Sequence, residues 1–287
     1  MDLGLSGKSA LLIGAGRGLG GAAALVMARE GCKVALVART RADVEARAAA
    51  CKALGAPQAL GIVADATDPA SLRRSIDTTA MEFGSLDILV TLVGGSQPGG
   101  TAELTGADWE AAYDRNLWPA VRASRYALPH LIASAVRRGF AAAHPLQHAP
   151  AIAAIDTPAP GLVQREPSVI LHVASIFGRE GGGSLTYNTA KAALIALAHE
   201  QARELAPRGV RVLSIAPGSV LHPGGSWERR LHKDPAETVA FVQREIPFGR
   251  FGTAEEIGDA IAFLVSTRAS WIAGACVVVD GGQSRSF

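Results

Sequence analysis

Four glycines fall within seven residues, Gly14-Ala15-Gly16-Arg17-Gly18-Leu19-Gly20, directly after the apolar run Ala10-Leu11-Leu12-Ile13. A short buried strand, a glycine turn and an Ala-rich helix beginning near Leu19 leave few folds open. That succession is the first unit of a doubly wound sheet that binds dinucleotides. Glycines let the backbone turn tightly and approach a pyrophosphate, which then sits at the positive end of the helix. Gly14, Gly16, Arg17, Gly18, Leu19 and Gly20 are therefore candidate cofactor-binding residues. The plain alternative is a flexible loop without a ligand; the strand before it and the helix after it weigh against that.

The pattern continues along the chain. Lys33 to Ala38 reads as a second strand, Arg41 to Leu54 as a helix and Ala59 to Val63 as a third strand. A helix over 71–83 and a strand over 86–93 follow. Thr105, with Asp108 three residues on, opens the next helix, and Thr253-Ala254-Glu255-Glu256 is a capping box for a late one. Strands alternating with helices over most of 287 residues predict an α/β fold, a single doubly wound Rossmann domain with a central parallel sheet flanked by helices. The 48% hydrophobic content is ample for one such core. Residues 139–167 interrupt the pattern with five of the fifteen prolines, and predict an Ala/Pro-rich surface insertion. His144 and His148 within it do not make a metal site, since two ligands are too few.

The chemistry concentrates in Tyr187-Asn188-Thr189-Ala190-Lys191, with Ser175 twelve residues before the tyrosine. Side chains four apart on a helix share a face, so Tyr187 and Lys191 point into one space. A nearby ammonium pulls a phenol below its usual pKa of about 10 and fits it for proton transfer. Ser175, at the end of the apolar run 169–174, is placed to present a hydroxyl to the same oxygen. Three groups converging on one oxygen point to carbonyl–alcohol chemistry.

Together these motifs resemble the short-chain dehydrogenase/reductase family, in its shorter branch with a G-x-x-x-G-x-G loop and a Y-x-x-x-K pair. The resemblance runs from about Leu5 to Gly282. It implies a catalytic set of Asn116, Ser175, Tyr187 and Lys191, with Lys191 also gripping the nicotinamide ribose and Asn116 holding a water. Further cofactor contacts are implied at Asp65 and Ala66, at Gly94, and at Pro217, Gly218 and Val220. Asp280-Gly281-Gly282 resembles the usual end of the last strand. Three positions depart from the family pattern. Ile13 replaces a threonine, Thr91-Leu92-Val93-Gly94 replaces Asn-Asn-Ala-Gly, and His222 replaces a threonine that often contacts the carboxamide. The second change predicts altered hydrogen bonding between strands rather than lost chemistry.

Arg39 ends the second strand, where an acidic residue would bind a ribose 2′-hydroxyl. An arginine offers a fork of donors to a 2′-phosphate, and Arg17 could reinforce it, so NADP(H) is favoured over NAD(H). The expected partner is a small carbonyl or alcohol substrate, apolar or aromatic, met by Phe177 and Leu185. Gly181-Gly182-Gly183 leaves room and mobility beside it. Residues 220–245 are the expected substrate lid, with Trp227 among Arg229, Arg230, His232 and Lys233. A net charge of +2 with interspersed signs argues against a nucleic-acid binder. No apolar run approaches the ~20 residues of a membrane span. Cys32, Cys51 and Cys276 suit small hydrophobic fillers in a reducing cytoplasm, and the family resemblance implies a homo-oligomer, a dimer or tetramer. The competing functions are a catalytically idle cofactor-binding regulator on the same fold and a related enoyl reductase or dehydratase. The complete set of four weighs against the first, and the four-residue Tyr187–Lys191 spacing against the second.

Overall fold

The computed structural model describes residues 2–140 and 166–286. The insertion expected at 139–167, His144 and His148 included, lies outside the described residues except at its two ends. The chain opens with β1 (Ser9–Ile13), α1 (Gly18–Arg29), β2 (Lys33–Ala38), α2 (Arg41–Ala53), β3 (Ala59–Val63), α3 (Pro69–Phe83) and β4 (Ile88–Thr91). Two helices, α4 (Gly106–Asn116) and α5 (Trp118–Arg137), precede β5 (Ser168–Val173), α6 (Leu185–Leu205) and β6 (Val210–Pro217). The last part holds β7 (Val220–Leu221), α7 (Ser226–Lys233), α8 (Pro235–Glu245), β8 (Gly252–Thr253), α9 (Ala254–Val265) and β9 (Cys276–Val279).

Seven strands form one parallel sheet in the order β3-β2-β1-β4-β5-β6-β9, and β7 pairs with β8 apart from it. Parallel strands covered on both faces need apolar residues at consecutive positions, which is why β1 is buried throughout. Alternate side chains of β1 then serve opposite layers. Ala10 and Leu12 pack with Met27 of α1 and Ile257 and Ile261 of α9. Leu11 and Ile13 pack with Ile76 of α3, Leu131 of α5 and Ala198 of α6. Gly258 lets α9 press against α1, since a Cβ there would lie 3.1 Å from backbone atoms of Ala22 and Ala23.

The helix signals in the sequence hold. Thr105 and Asp108 form a reciprocal capping box on α4, as do Thr253 and Glu256 on α9. Asp68 caps α3 through the amides of Ala70 and Ser71, which starts that helix two residues before the sequence suggested. Register completes the frame: Ile13 pairs with Thr91 and Thr91 with His172, while Val173 pairs with Ile215. The carboxyl ends of β1, β4 and β5 therefore finish level, on either side of the point where strand order reverses. A doubly wound sheet opens a crevice at such a point.

Candidate active site

A cleft of about 1040 Å³ occupies that position, walled by the loops that leave β1, β4, β5 and β6 and by α7. Gly14, Arg17, Gly18, Leu19 and Gly20 line it, together with Gly94, Ser175, Tyr187, Lys191, Pro217, Gly218 and Val220. Gly14 has a φ of 92° and Gly18 one of 55°, where a side chain would be strained. Gly20 is needed for a different reason. A Cβ there would stand 2.6 Å from the Gly14 carbonyl oxygen, so only glycine lets the loop fold onto the start of α1. Gly16 faces away from the cleft and packs on Ala38 and Asp43.

At the floor, β5 ends and Ser175 enters an extended residue whose hydroxyl accepts from the Phe177 amide at 3.2 Å. The following 3-10 turn rests on α6 so closely that a Cβ on Gly178 would lie 2.7 Å from the Lys191 carbonyl carbon. That contact sets the distance between the serine segment and the Tyr187 helix. The Ser175 hydroxyl hydrogen-bonds the Tyr187 phenol. The Lys191 ammonium lies 5.6 Å from the centroid of the Tyr187 ring. It donates to the carbonyl oxygens of Val173 at 3.0 Å and Val93 at 3.4 Å. The sequence thus placed Ser175, Tyr187 and Lys191 together, and the structure does so.

Their electrostatics differ from the sequence expectation. Burial pushes the Tyr187 phenol above its ordinary value, the Ser175 hydrogen bond pulling the other way without reversing it. Burial also lowers Lys191, which is 3% exposed, to about 8. Lys191 is taken up by carbonyl oxygens, and desolvation rather than the cation dominates the phenol. Asn116 does not line the cleft. Its Oδ1 accepts from the Gly95 amide at 2.9 Å, and its Nδ2 donates to Gly95 O and Ala112 O. Gly94 separates it from the lysine: a Cβ there would meet Asn116 Oδ1 at 2.7 Å and Lys191 Nζ at 3.1 Å.

The replaced asparagine motif has a visible counterpart that sequence reading missed. Thr91 Oγ1 pairs with His172 Nδ1 at 2.8 Å, joining β4 to β5, and His172 Nε2 pairs with Gln201 Oε1 of α6 at 3.0 Å. His172 has no exposed surface, and burial lowers it to about 4, so the ring is neutral. With the threonine hydroxyl donating to Nδ1, Nε2–H donates to the glutamine. Only the threonine where asparagine was expected hinted at it; nothing in the sequence spacing names His172 as its partner.

Other expected contacts spread outward. Arg39 is exposed at the end of β2, and its charge helps hold the Asp65 carboxyl below its usual range, after the hydrogen bonds from Thr67. Neither Arg39, Asp65 nor Ala66 lines the cleft. Arg17 pairs with Asp43 at 3.1 Å, a partner the sequence reading did not name. His222 lies over the glycine loop, its Cε1 2.9 Å from where a Gly18 Cβ would be, and Nδ1 donates to Pro223 O at 3.1 Å. The room expected beside Gly181-Gly182-Gly183 is partly filled by the Phe177 ring, 2.7 Å from a Gly182 Cβ position. In the lid, Trp227 stacks on Phe241 and Phe251 at 4.4 and 5.0 Å between centroids.

Comparison with known proteins settles the ancestry. A family model described as short chain dehydrogenase matches residues 8–139, and one described as enoyl-(acyl carrier protein) reductase matches 132–284. The 3-oxoacyl-[acyl-carrier-protein] reductase FabG of Escherichia coli is 31% identical over 278 residues, covering 96% of this chain and 97% of that protein. The chain belongs to the short-chain dehydrogenase/reductase family. Within this oxidoreductase family it is also 30% identical to 2-(S)-hydroxypropyl-CoM dehydrogenase 3 of Xanthobacter autotrophicus, over 95% of each chain. The L-sorbose reductase of Gluconobacter frateurii, solved with NADPH and L-sorbose, superposes with a TM-score of 0.84 at 26% identity over the whole of both chains. A 7α-hydroxysteroid dehydrogenase solved with NADH gives 0.81 at 25%, covering 99% of this chain and 97% of that one. Family members so similar in shape thus carry either nicotinamide cofactor. Among the described residues no helix is long and apolar enough to cross a membrane, and no cluster of three or more metal-ligating side chains occurs.

Proposed function

We propose that the protein is an NADP(H)-dependent reductase of ketones or aldehydes, in which Tyr187 gives a proton to the carbonyl oxygen. The carrying observation is the convergence of the Ser175 hydroxyl, the Tyr187 phenol and the Lys191 ammonium on a cleft whose other wall is the glycine loop. The residues present fit a dinucleotide. The loop at Gly14, Gly18 and Gly20 presents bare backbone at the start of α1, where side chains would clash or strain. Arg39 and Arg17 favour a 2′-phosphate over a bare ribose hydroxyl. When bound, the reduced cofactor supplies the hydride that the carbonyl carbon accepts.

This chain's own residues do the rest. Ser175 orients the carbonyl oxygen by donating to it, and Tyr187, which burial keeps protonated, supplies the proton as the oxygen gains charge. Lys191, held by two carbonyls, fixes a positive charge beside the phenol and favours the phenolate left after transfer. Asn116 braces the Gly94–Gly95 turn between itself and Lys191. The full-length relatives named above include carbonyl reductases and alcohol dehydrogenases, which agrees with this choice over an enoyl reductase or an idle regulator. The test is NADPH oxidation against a panel of ketones, aldehydes and oxo-acids, with NADH alongside. Tyr187→Phe should retain NADPH binding and lose about 10²–10⁴-fold in kcat; unchanged turnover would remove Tyr187 from its role.

A further inference from the structure

The cleft carries a charge pattern that carbonyl reduction alone does not require. Its fixed cations are Arg17, Lys191, Arg229 and Arg230, and no Asp or Glu stands among the described residues lining it. Three of the four are already engaged. Lys191 donates to Val173 and Val93, Arg17 pairs with Asp43, and Arg229 donates to the Gly224 carbonyl oxygen at 2.6 Å. The Arg230 guanidinium has no carboxylate or hydrogen-bond partner among the described residues, and it sits 4.8 Å from the centroid of the Trp227 ring.

That ring is itself packed against Phe241 and Phe251. A guanidinium resting on a fixed aromatic face keeps its planar fork of donors free while its side chain is already partly ordered. Less entropy is then lost when the fork closes on an oxyanion. Phe177, Leu185, Trp227 and Phe241 give the same cleft an apolar part. The cofactor's own phosphates would find other partners. They belong at the start of α1 with Arg17, which lies beside Gly224, whereas Arg230 is five residues into the helix from Gly225, about 8 Å along its axis.

We propose that Arg230, seated on Trp227, binds an anionic group carried by the substrate, so that the enzyme acts on carbonyl compounds with an apolar body and a carboxylate or phosphate. This rests on the carbonyl-reductase function proposed for the same cleft. The other outward arginine of α7, Arg229, anchors the start of the lid and is not the recognition group.

A matched pair of probes tests it: 4-benzoylbutyrate, an aromatic ketone with a carboxylate, and its uncharged methyl ester. Each is titrated calorimetrically into protein saturated with NADP⁺, and each is assayed for NADPH oxidation. The carboxylate should bind about 10- to 100-fold more tightly than the ester, the range expected of a charge-assisted hydrogen-bonded pair. Arg230→Gln should bring that ratio close to one, Arg230→Lys should restore part of it, and NADP⁺ affinity should shift less than twofold in both. Equal affinity for the two probes in the unaltered protein, or no binding of the carboxylate, overturns the inference. So does a loss of NADP⁺ affinity in Arg230→Gln as large as the loss for the carboxylate, which would give the arginine to the cofactor. Carboxylate preference in binding, without turnover of either ketone, would leave the anion site standing and sink the reductase function.

Discussion

The floor and the rim of the cleft are built on opposite principles. At the floor and beneath it, three polar groups are buried and partnered: Lys191 by two carbonyls, Asn116 by Gly95 and Ala112, His172 by Thr91 and Gln201. At the rim, Arg17, Arg229 and Arg230 are exposed and reach the cleft from the glycine loop and from α7. A buried polar atom without a partner costs about 1–3 kcal/mol, so each floor group has one allowed position. Exposed cations carry no such penalty, and their ion pairs contribute little to stability. Under the proposed function, chemistry falls to the buried groups and recognition to the exposed ones.

Substitutions at the floor should therefore damage rate and stability together, and those at the rim should alter affinity alone. The largest effect is expected for Lys191→Met, which removes the charge beside Tyr187: kcat should fall about 10³-fold or more in NADPH oxidation. Gly94→Ala forces a methyl group between Asn116 Oδ1 and Lys191 Nζ. We expect kcat to fall at least about tenfold and unfolding free energy to drop about 1–3 kcal/mol, the usual cost of overpacking. A loss of kcat without any drop in stability would break the link between the two at the floor.

His172→Leu sharpens the comparison further, because it strands Thr91 Oγ1 and leaves Gln201 Oε1 only the long bond from Ser124 Oγ at 3.5 Å. Denaturant titration should show a loss of about 2–4 kcal/mol, one unsatisfied group at about 1–3 kcal/mol and one net hydrogen bond of about 1 kcal/mol. Its pH dependence has a defined sign. His172 falls from 6.5 to about 4 in the fold, so between those values the unfolded chain binds the extra proton. Stability then rises with pH through that window and is lost on acidification, by at most about 3 kcal/mol. The unaltered protein should accordingly lose more Tm between pH 7 and pH 4.5 than His172→Leu does. Equal acid sensitivity would show that the ring is not held neutral. The smallest effect belongs to the rim. His222→Thr restores the residue the family pattern calls for, and should shift the Kd for NADPH by no more than about tenfold while leaving Tm within about 2 °C, since a surface change costs at most about 0.5 kcal/mol. A fall in Tm of several degrees would place His222 with the floor instead.

Much of this was legible in the residues. The glycine loop, the alternation of apolar runs with helices, and the Tyr187–Lys191 spacing are local patterns, and local patterns fix the strand ends and helix faces on which a site must lie. Capping boxes at Thr105 and Thr253 are read within four residues. His172 was invisible because its partners are 81 residues before it and 29 after it, and only strand register brings them together. Separation in sequence likewise hid the Arg17–Asp43 pair and the approach of His222 to Gly18. Spacing put Tyr187 next to Lys191, yet it could not tell that burial outweighs the Ser175 hydrogen bond and keeps the phenol protonated. The sequence by itself determined the order of elements and the side chains offered for chemistry, because hydrophobic period and backbone sterics act over a few residues. Only the tertiary structure decided which buried atoms are satisfied and which cations remain free, because solvent exclusion depends on everything packed around a group.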